Sequence, residues 1–137
     1  MKQEIAVTVD IAIFCNANNK INVLLIKRKN DPFKGQWAIP GGFVEEDENL
    51  EDAAKRELAE ETGIKVKTIE QVKAFGAPGR DPRGRTISIA FLGWIDCEDN
   101  PVAGDDAAEA KWFELDDLPE ELAFDHAKII QTAENYL

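Results

Sequence analysis

The sequence predicts an α/β protein in which a mixed β-sheet lies between helices. Short segments rich in β-branched and aromatic residues recur along the chain. One strong helical segment, at about 50–62, interrupts them, and a second helical pattern ends the chain at 125–137. A sheet with a helix inserted between its strands and another at its end is expected to be covered by those helices.

The first elements are a predicted hairpin and a short strand. Apolar residues alternate from Val7 to Ile13, which predicts a half-buried strand. Residues 16–20 have turn composition and residues 21–28 form a second strand, so the two strands should pair. A loop at 30–35 and a short strand at 37–39 then lead toward the helix.

The helix at about 50–62 has predicted start and stop signals. Asn49 followed three residues later by Asp52 resembles a capping box, which would fix the first turn. Gly63 is suited to the left-handed conformation that ends many helices.

The second half predicts three more strands and a final helix. The strands are expected at 66–75, 86–94 and 111–113, separated by loops at 76–84 and 100–106. A turn or helix should begin at Leu118. The C-terminal helix, 125–137, has an apolar stripe of Ile129, Ile130, Ala133 and Leu137.

Composition predicts one domain, residues 1–137, that does not bind nucleic acid or anionic membranes. The chain has 137 residues, 44% of them hydrophobic, and a net charge of −11. Cys15 and Cys97 lack metal-type spacing, so two reduced thiols in a cytoplasmic protein are expected, with a disulfide as the alternative. The N-terminus carries no signal-peptide pattern and no apolar run reaches membrane-spanning length.

Three carboxylates share one face of the predicted helix. Glu57, Glu60 and Glu61 have i, i+3 and i+4 spacing, which brings like charges together. Glu57 and Glu61 also lie near the apolar line of the helix, so they should be partly turned toward the protein. Partly desolvated, mutually repelling carboxylates need a partner, and a Mg²⁺ or Mn²⁺ ion is the simplest one. The alternative, a solvated acidic face, suits Glu45, Glu46, Asp47, Glu51 and Asp52 better.

The segment 42–64 resembles the signature of the Nudix hydrolases, G-x5-E-x7-R-E-U-x-E-E-x-G-U, where U is an aliphatic residue. It matches at every defined position, and the preceding Trp37-Ala38-Ile39-Pro40-Gly41 is similar to the family's approach to this segment. The resemblance implies an α/β/α sandwich and a metal-dependent pyrophosphohydrolase acting on a nucleoside diphosphate linked to another group.

The resemblance also implies roles within this segment. Glu57 and Glu61 would be the main metal ligands, Glu60 the next, and the Gly41 carbonyl would complete the set. Arg56 would orient a carboxylate and pair with Glu48. The proton acceptor would be one of the signature glutamates or Glu109, in a loop before the last predicted strand. An ordinary exposed acid is the alternative for Glu109.

The loop from Pro78 to Arg85 resembles the ADP-ribose pyrophosphatase branch of the family. Its arginines, Arg80 and Arg85 in particular, could meet phosphate or ribose oxygens, and a structural ion pair is the alternative for at least one of them. Arg28 and Trp37 are expected to flank the same cleft, with a core position as the alternative for Trp37. Phe124-Asp125-His126 also resembles this branch, and His126 is expected to begin a helix or pack rather than bind metal.

Three functions follow. The first is hydrolysis of ADP-ribose to AMP and ribose 5-phosphate. The second is hydrolysis of a nucleoside triphosphate or dinucleotide, and the third is a non-catalytic ADP-ribose sensor. The intact signature and the end of the chain at Leu137 weigh against a sensor with an added DNA-binding domain. The resemblance further implies a homodimer.

Overall fold

A central strand organises the fold. The computed structural model describes residues 3–137. Its strands and helices, in chain order, are β1 (Ala6–Ala17), β2 (Lys20–Arg28), β3 (Trp37–Ala38), β4 (Gly41–Phe43), α1 (Leu50–Thr62), β5 (Glu70–Phe75), β6 (Thr86–Trp94), β7 (Ala107–Glu114), a 3₁₀ turn (Leu115–Asp117) and α2 (His126–Glu134).

The seven strands form one mixed sheet. Its main order is β3-β2-β1-β6-β5, with β4 paired to the first half of β1 and β7 paired to β2. The β1–β6 pair is parallel and the other pairs are antiparallel. The mixed sheet predicted from the sequence is therefore confirmed.

Each face of the sheet packs against one helix. On one face, Ile11 and Ile13 of β1 pack with Ala54 and Leu58 of α1. On the other face, Phe14 belongs to a core cluster that includes Ile129, Ile130 and Ala133 of α2. β1 is consequently buried on both faces from Thr8 to Cys15. The prediction of a half-buried strand was wrong, because a strand between two helical layers has no solvent-facing side.

The predicted hairpin is present, with a tighter turn. β1 continues to Ala17 and β2 begins at Lys20, which leaves a two-residue turn. Asn18 and Asn19 take positive φ values of 53° and 64°. That geometry matches the right-handed twist of the strands and suits asparagine.

Helix α1 has the predicted bounds but not the predicted start. Gly63 caps it at φ 73° and donates its N–H to the Ala59 carbonyl. Asn49 makes no side-chain capping hydrogen bond, so the capping-box prediction was wrong. The preceding turn is held instead by Glu48, whose carboxylate accepts the Glu45 N–H at 3.0 Å.

Several boundaries in the second half differ from prediction. β7 covers 107–114 rather than 111–113, because it pairs with β2 over nearly its full length. β5 begins at 70 rather than 66. Residues 118–120 form no helix, and a 3₁₀ turn lies just before them at 115–117. Helix α2 covers 126–134, and Leu137 lies beyond it, 44% exposed.

Cys15 and Cys97 form a disulfide, so the expectation of two reduced thiols was wrong. Cys15 lies near the end of β1 and Cys97 lies just beyond β6, and these two strands run parallel and adjacent. Their Cα atoms are 5.2 Å apart although 82 residues separate them in sequence. No helix among residues 3–137 is both long and apolar enough to cross a membrane.

Candidate active site

Two adjoining cavities form one cleft at the junction of β1, β4 and α1. The Glu57 chamber is lined by Glu57, Arg56 and Asp106 among others. The His126 chamber is lined by Asp10, Arg80 and His126 among others. Five residues line both chambers and so form their common boundary: Arg28, Gly41, Gly42, Glu61 and Arg83.

Glu61 is a buried carboxylate at this boundary. It is 5% exposed, and its Oε1 accepts a hydrogen bond from the Gly41 N–H at 2.9 Å. Burial raises the pKa of Glu61 to about 8, against the opposing effect of the Gly41 N–H. The nearby charges of Glu57, Asp10 and Asp106 raise this pKa further. Because burial disfavours the ionised form of this carboxyl, a cation bound beside it would stabilise that form.

Glu57 faces the same cleft one helical turn earlier. Its side chain is 15% exposed. Burial raises the pKa of Glu57, while the Arg56 guanidinium, 2.8 Å from Oε1, opposes that rise. The prediction that Glu57 and Glu61 turn toward the protein is therefore confirmed.

Arg56 holds the carboxylates of this segment in place. Its Nε and Nη2 donate to the two oxygens of Glu48 at 2.6 and 2.9 Å, and Nη2 also donates to the Phe43 carbonyl. This pairing lowers the pKa of Glu48 to about 2 and raises that of Arg56. The predicted Arg56–Glu48 contact is present. Glu60 contacts Arg56 as well, but its side chain is 40% exposed and it lines neither chamber.

The glycines of β4 let the backbone approach these carboxylates. A Cβ on Gly42 would lie 2.5 Å from the Glu57 carboxyl carbon. A Cβ on Gly41 would overlap the Val9 carbonyl and the Asp10 side chain. Any larger residue here would move β4 away from β1 and α1, so both positions require glycine.

Arg80 is part of the protein's internal structure. Its Nε and Nη2 donate to both oxygens of Asp125 at 2.9 and 2.6 Å, and Nη2 lies 4.0 Å from Asp10. The side chain is 3% exposed. The predicted alternative of a structural ion pair applies to this arginine, and its partner is Asp125.

Asp10 and His126 continue this buried network. The Ile39 N–H donates to His126 Nδ1 at 3.1 Å, which leaves Nε2 to carry the proton toward Asp10 Oδ1 at 3.3 Å. Ser88 donates its hydroxyl to the other Asp10 oxygen. Burial raises the pKa of Asp10, but His126, Ser88 and Arg80 together outweigh it, so the pKa is lowered.

His126 begins α2 and packs in the interior, as predicted. Sequence reasoning missed Asp10 and Ser88. The signal that could have identified Asp10 is its charge within the apolar segment of β1, which the structure buries on both faces.

The boundary arginines contact aromatic rings. The Arg28 guanidinium lies 5.0 Å from the Phe124 ring centroid, and Arg83 lies 4.9 Å from Phe43 and 5.6 Å from Phe124. Arg83 also pairs with Asp81, which is 4% exposed. Sequence reasoning named Arg28, but among the loop arginines it singled out Arg80 and Arg85 rather than Arg83.

Besides Glu60, three predicted site residues lie outside both chambers. Trp37 packs edge-on against Phe113, with ring centroids 4.8 Å apart, beside the core cluster that includes Ile129 and Ile130 of α2. The alternative prediction of a core position therefore applies to Trp37. Arg85 is exposed and lines a separate surface depression. Glu109 lies within β7 rather than in a loop, and it is exposed and 3.4 Å from Lys27. Asp106, which was not predicted, lines the Glu57 chamber instead.

The model of the NUDIX domain matches residues 5–133 of this chain. The chain belongs to the Nudix family. A curated relative, an ADP-ribose pyrophosphatase of Methanocaldococcus jannaschii, is 52% identical over 127 residues, which are 92% of this chain and 71% of that protein. An ADPR-responsive transcriptional repressor, NtrR of Acinetobacter baylyi, is 40% identical over 129 residues, which are 92% of this chain and 52% of the repressor.

A solved structure gives the same fold. The NUDIX domain of Shewanella oneidensis NrtR, crystallised with ADP ribose, superimposes with a TM-score of 0.90 at 34% identity, covering 98% of this chain and 90% of that one. The Nudix α/β/α sandwich predicted from the signature is therefore confirmed.

The donors in the cleft fit the divalent metals that Nudix hydrolases generally use. Glu57 and Glu61 offer hard carboxylate oxygens, and the raised pKa of each indicates that its charge lacks full compensation. Among residues 3–137, no three acidic, histidine or cysteine side chains form a complete metal site. Backbone, water and phosphate oxygens are the other ligands that Mg²⁺ takes in such sites, so the pair of glutamates is compatible with the family's metal.

Proposed function

We propose that this Nudix hydrolase is an ADP-ribose pyrophosphatase that releases AMP and ribose 5-phosphate. The observation that carries the proposal is one cleft that is lined by two carboxylates, Glu57 and Glu61, and by two arginines, Arg28 and Arg83. A substrate with one diphosphate between two sugars needs cation-binding groups at its centre and polar groups at both ends. The 52% identical pyrophosphatase and the ADP-ribose complex of the NrtR domain support this substrate.

The carboxylate end would hold the metal, with Mg²⁺ or Mn²⁺ as the candidates. Glu57, Glu61 and the Gly41 carbonyl are the proposed main ligands and Glu60 a further one. The ion would neutralise charge on the diphosphate while water attacks phosphorus. Arg56 keeps Glu57 and Glu48 in fixed positions, so it would act on the substrate only through these carboxylates.

The His126 chamber would receive one end of the substrate. Its walls carry Asp10, Asp81 and His126, which are all buried. Their hydrogen bonds within the protein keep them in place without substrate, so the chamber has a fixed polar wall before any ligand binds. The hydroxyls of a terminal ribose are polar groups suited to such a wall.

The test is a substrate panel with Mg²⁺ and with Mn²⁺. We expect ADP-ribose to have a higher kcat/KM than ATP, dGTP or diadenosine polyphosphates, with AMP and ribose 5-phosphate identified by chromatography. A nucleoside triphosphate with the higher kcat/KM would overturn the substrate while leaving the family unchanged.

A second candidate function is ADP-ribose sensing without turnover, favoured by the 40% identity to the NtrR repressor. The intact signature Arg56-Glu57 and Glu60-Glu61 favours catalysis. Product formation decides between them, because a sensor would bind ADP-ribose in calorimetry and release no AMP.

We also propose a homodimer, by resemblance to short members of this branch. Light scattering at the assay concentration tests this, and a fully active monomer would refute it.

A further inference from the structure

The arginines of the cleft differ in how much of their hydrogen-bonding capacity the protein already uses. Arg80 is 3% exposed and donates through Nε and Nη2 to Asp125. Arg83 donates through Nε and Nη2 to Asp81, which leaves Nη1 without a protein acceptor among the described residues. Arg28 uses only Nε, toward the Pro32 carbonyl at 2.6 Å, and both of its Nη groups lack such an acceptor.

Arg28 also lacks a carboxylate partner. No Asp or Glu oxygen within residues 3–137 lies within 4.0 Å of its guanidinium nitrogens. Burial, followed by the positive charge of Arg83, lowers the pKa of Arg28, although the negative charges of Glu61, Asp106 and Asp81 partly oppose this shift. A half-buried cation that faces a second cation at the edge of a cleft is stabilised when an anion binds between them.

Phe124 keeps the two guanidiniums near each other. Arg28 lies 5.0 Å and Arg83 5.6 Å from the centroid of the Phe124 ring, and Arg83 also lies 4.9 Å from Phe43. Such contacts orient a guanidinium without using its N–H groups. The remaining donors are therefore available to a ligand.

Asp81 fixes Arg83 before any ligand arrives. Its buried carboxylate accepts the Arg83 backbone N–H at 2.9 Å, Nε at 3.1 Å and Nη2 at 2.8 Å. A guanidinium held in this way loses little conformational entropy when it binds. The pair Asp81–Arg83 thus acts as one preorganised unit.

We infer that Arg28 and Arg83 together bind the diphosphate of the substrate at the boundary between the two chambers, and that Arg80 and Arg85 do not. Both arginines line both chambers, as Glu61 does, so a diphosphate that crosses the boundary would lie beside all three side chains. This inference deepens the proposed function and rests on it only in assuming a diphosphate-containing substrate.

The test measures binding rather than turnover. The probe is ADP-ribose whose bridging diphosphate oxygen is replaced by a methylene group, titrated by calorimetry with Mg²⁺ present. We expect Arg28→Gln and Arg83→Gln each to weaken binding by about tenfold or more. The exposed Lys65→Gln, which removes one positive charge outside the cleft, should change affinity less than twofold.

Two further variants separate binding from folding. Asp81→Asn/Arg83→Gln removes the ion pair without leaving a buried, unpaired carboxylate, and it should bind as weakly as Arg83→Gln while melting near the wild-type temperature. Arg83→Lys retains the charge but not the planar fork, so its affinity should fall between those of Arg83→Gln and wild type.

Wild-type affinity in both Arg28→Gln and Arg83→Gln would overturn the inference, as would a larger loss from Arg85→Gln than from Arg83→Gln. These outcomes are independent of the substrate panel. If the panel instead favours another diphosphate compound, the same variants are titrated with its methylene analogue, and unchanged affinity would overturn the inference there too.

Discussion

The two ends of the cleft are built in different ways. The carboxylate end comes from one stretch of chain, in which Gly41, Arg56, Glu57 and Glu61 lie within 21 residues. The arginine end is assembled from β1, β2, the loop after β5 and the start of α2, as Asp10, Arg28, Arg83 and Asp125 illustrate. Because helix periodicity and one short strand fix the first group, local sequence specifies it. The second group depends on long-range pairing of strands and on buried ion pairs.

Removing a carboxylate should cause the largest functional loss. Glu61→Gln or Glu57→Gln keeps the shape of the side chain but removes a proposed metal ligand, so turnover of ADP-ribose should fall about a thousandfold or more. Initial rates at saturating Mg²⁺ measure this.

The matched control is Glu46→Gln, at an exposed position outside both chambers. It should retain wild-type turnover. Near-normal rates in both the Glu57 and Glu61 variants would remove the carboxylate end from the mechanism.

The carboxylate end should also destabilise the metal-free protein at high pH. The pKa of Glu61 is raised from 4.5 to about 8, so the folded state binds more protons than the unfolded state between these values. Stability is therefore fully present below about pH 4.5 and is lost as pH rises through 8, by at most about 5 kcal/mol. Glu61→Gln, which cannot ionise, should flatten this loss.

Urea unfolding in chelator at pH 5, 7 and 9 measures the effect. The variant should be more stable than wild type at pH 9. Added Mg²⁺ should restore wild-type stability at that pH, because an ion that binds only the folded state stabilises it. Parallel pH profiles for wild type and variant would contradict the cause assigned to the raised pKa.

At the arginine end, the expected loss is of stability. Arg80→Ala leaves Asp125 and buried Asp10 without a guanidinium, and breaking such a pair should cost about 2–4 kcal/mol. Arg80→Ala/Asp125→Asn should recover part of that loss. The sequence led instead to the expectation that Arg80 meets phosphate or ribose oxygens of the substrate.

Urea unfolding combined with the substrate panel distinguishes these outcomes. Wild-type stability together with a lost preference for ADP-ribose would make Arg80 a substrate residue and would contradict its structural role.

Sequence predicted the sheet, both helices and the positions of Glu57 and Glu61, because each of these depends on local pattern. It failed where tertiary contacts decide. The burial of β1 on both faces, the Cys15–Cys97 bond and the length of β7 all depend on neighbours far along the chain. For the same reason the loop arginines could be located, but which of them has free donors could not be predicted.

The smallest expected effect concerns the proton acceptor. Glu109 lies in β7, exposed and beside Lys27, so Glu109→Gln should change kcat less than about twofold and leave the pH–rate profile unchanged. A lost limb of that profile, with unchanged Mg²⁺ affinity, would instead assign Glu109 as the base.

Asp106→Asn is the comparison. The loop that carries Asp106 is joined to the end of α1, where Val102 and Gly104 donate their N–H groups to the carbonyls of Thr62 and Glu61. Asp106 lines the Glu57 chamber and its charge raises the pKa of both Glu57 and Glu61, so its neutralisation should shift the acidic limb of the profile downward. A shift in Asp106→Asn but not in Glu109→Gln would place the functional part of this region at the carboxylate end of the cleft, three residues before Glu109, the loop candidate that the sequence offered.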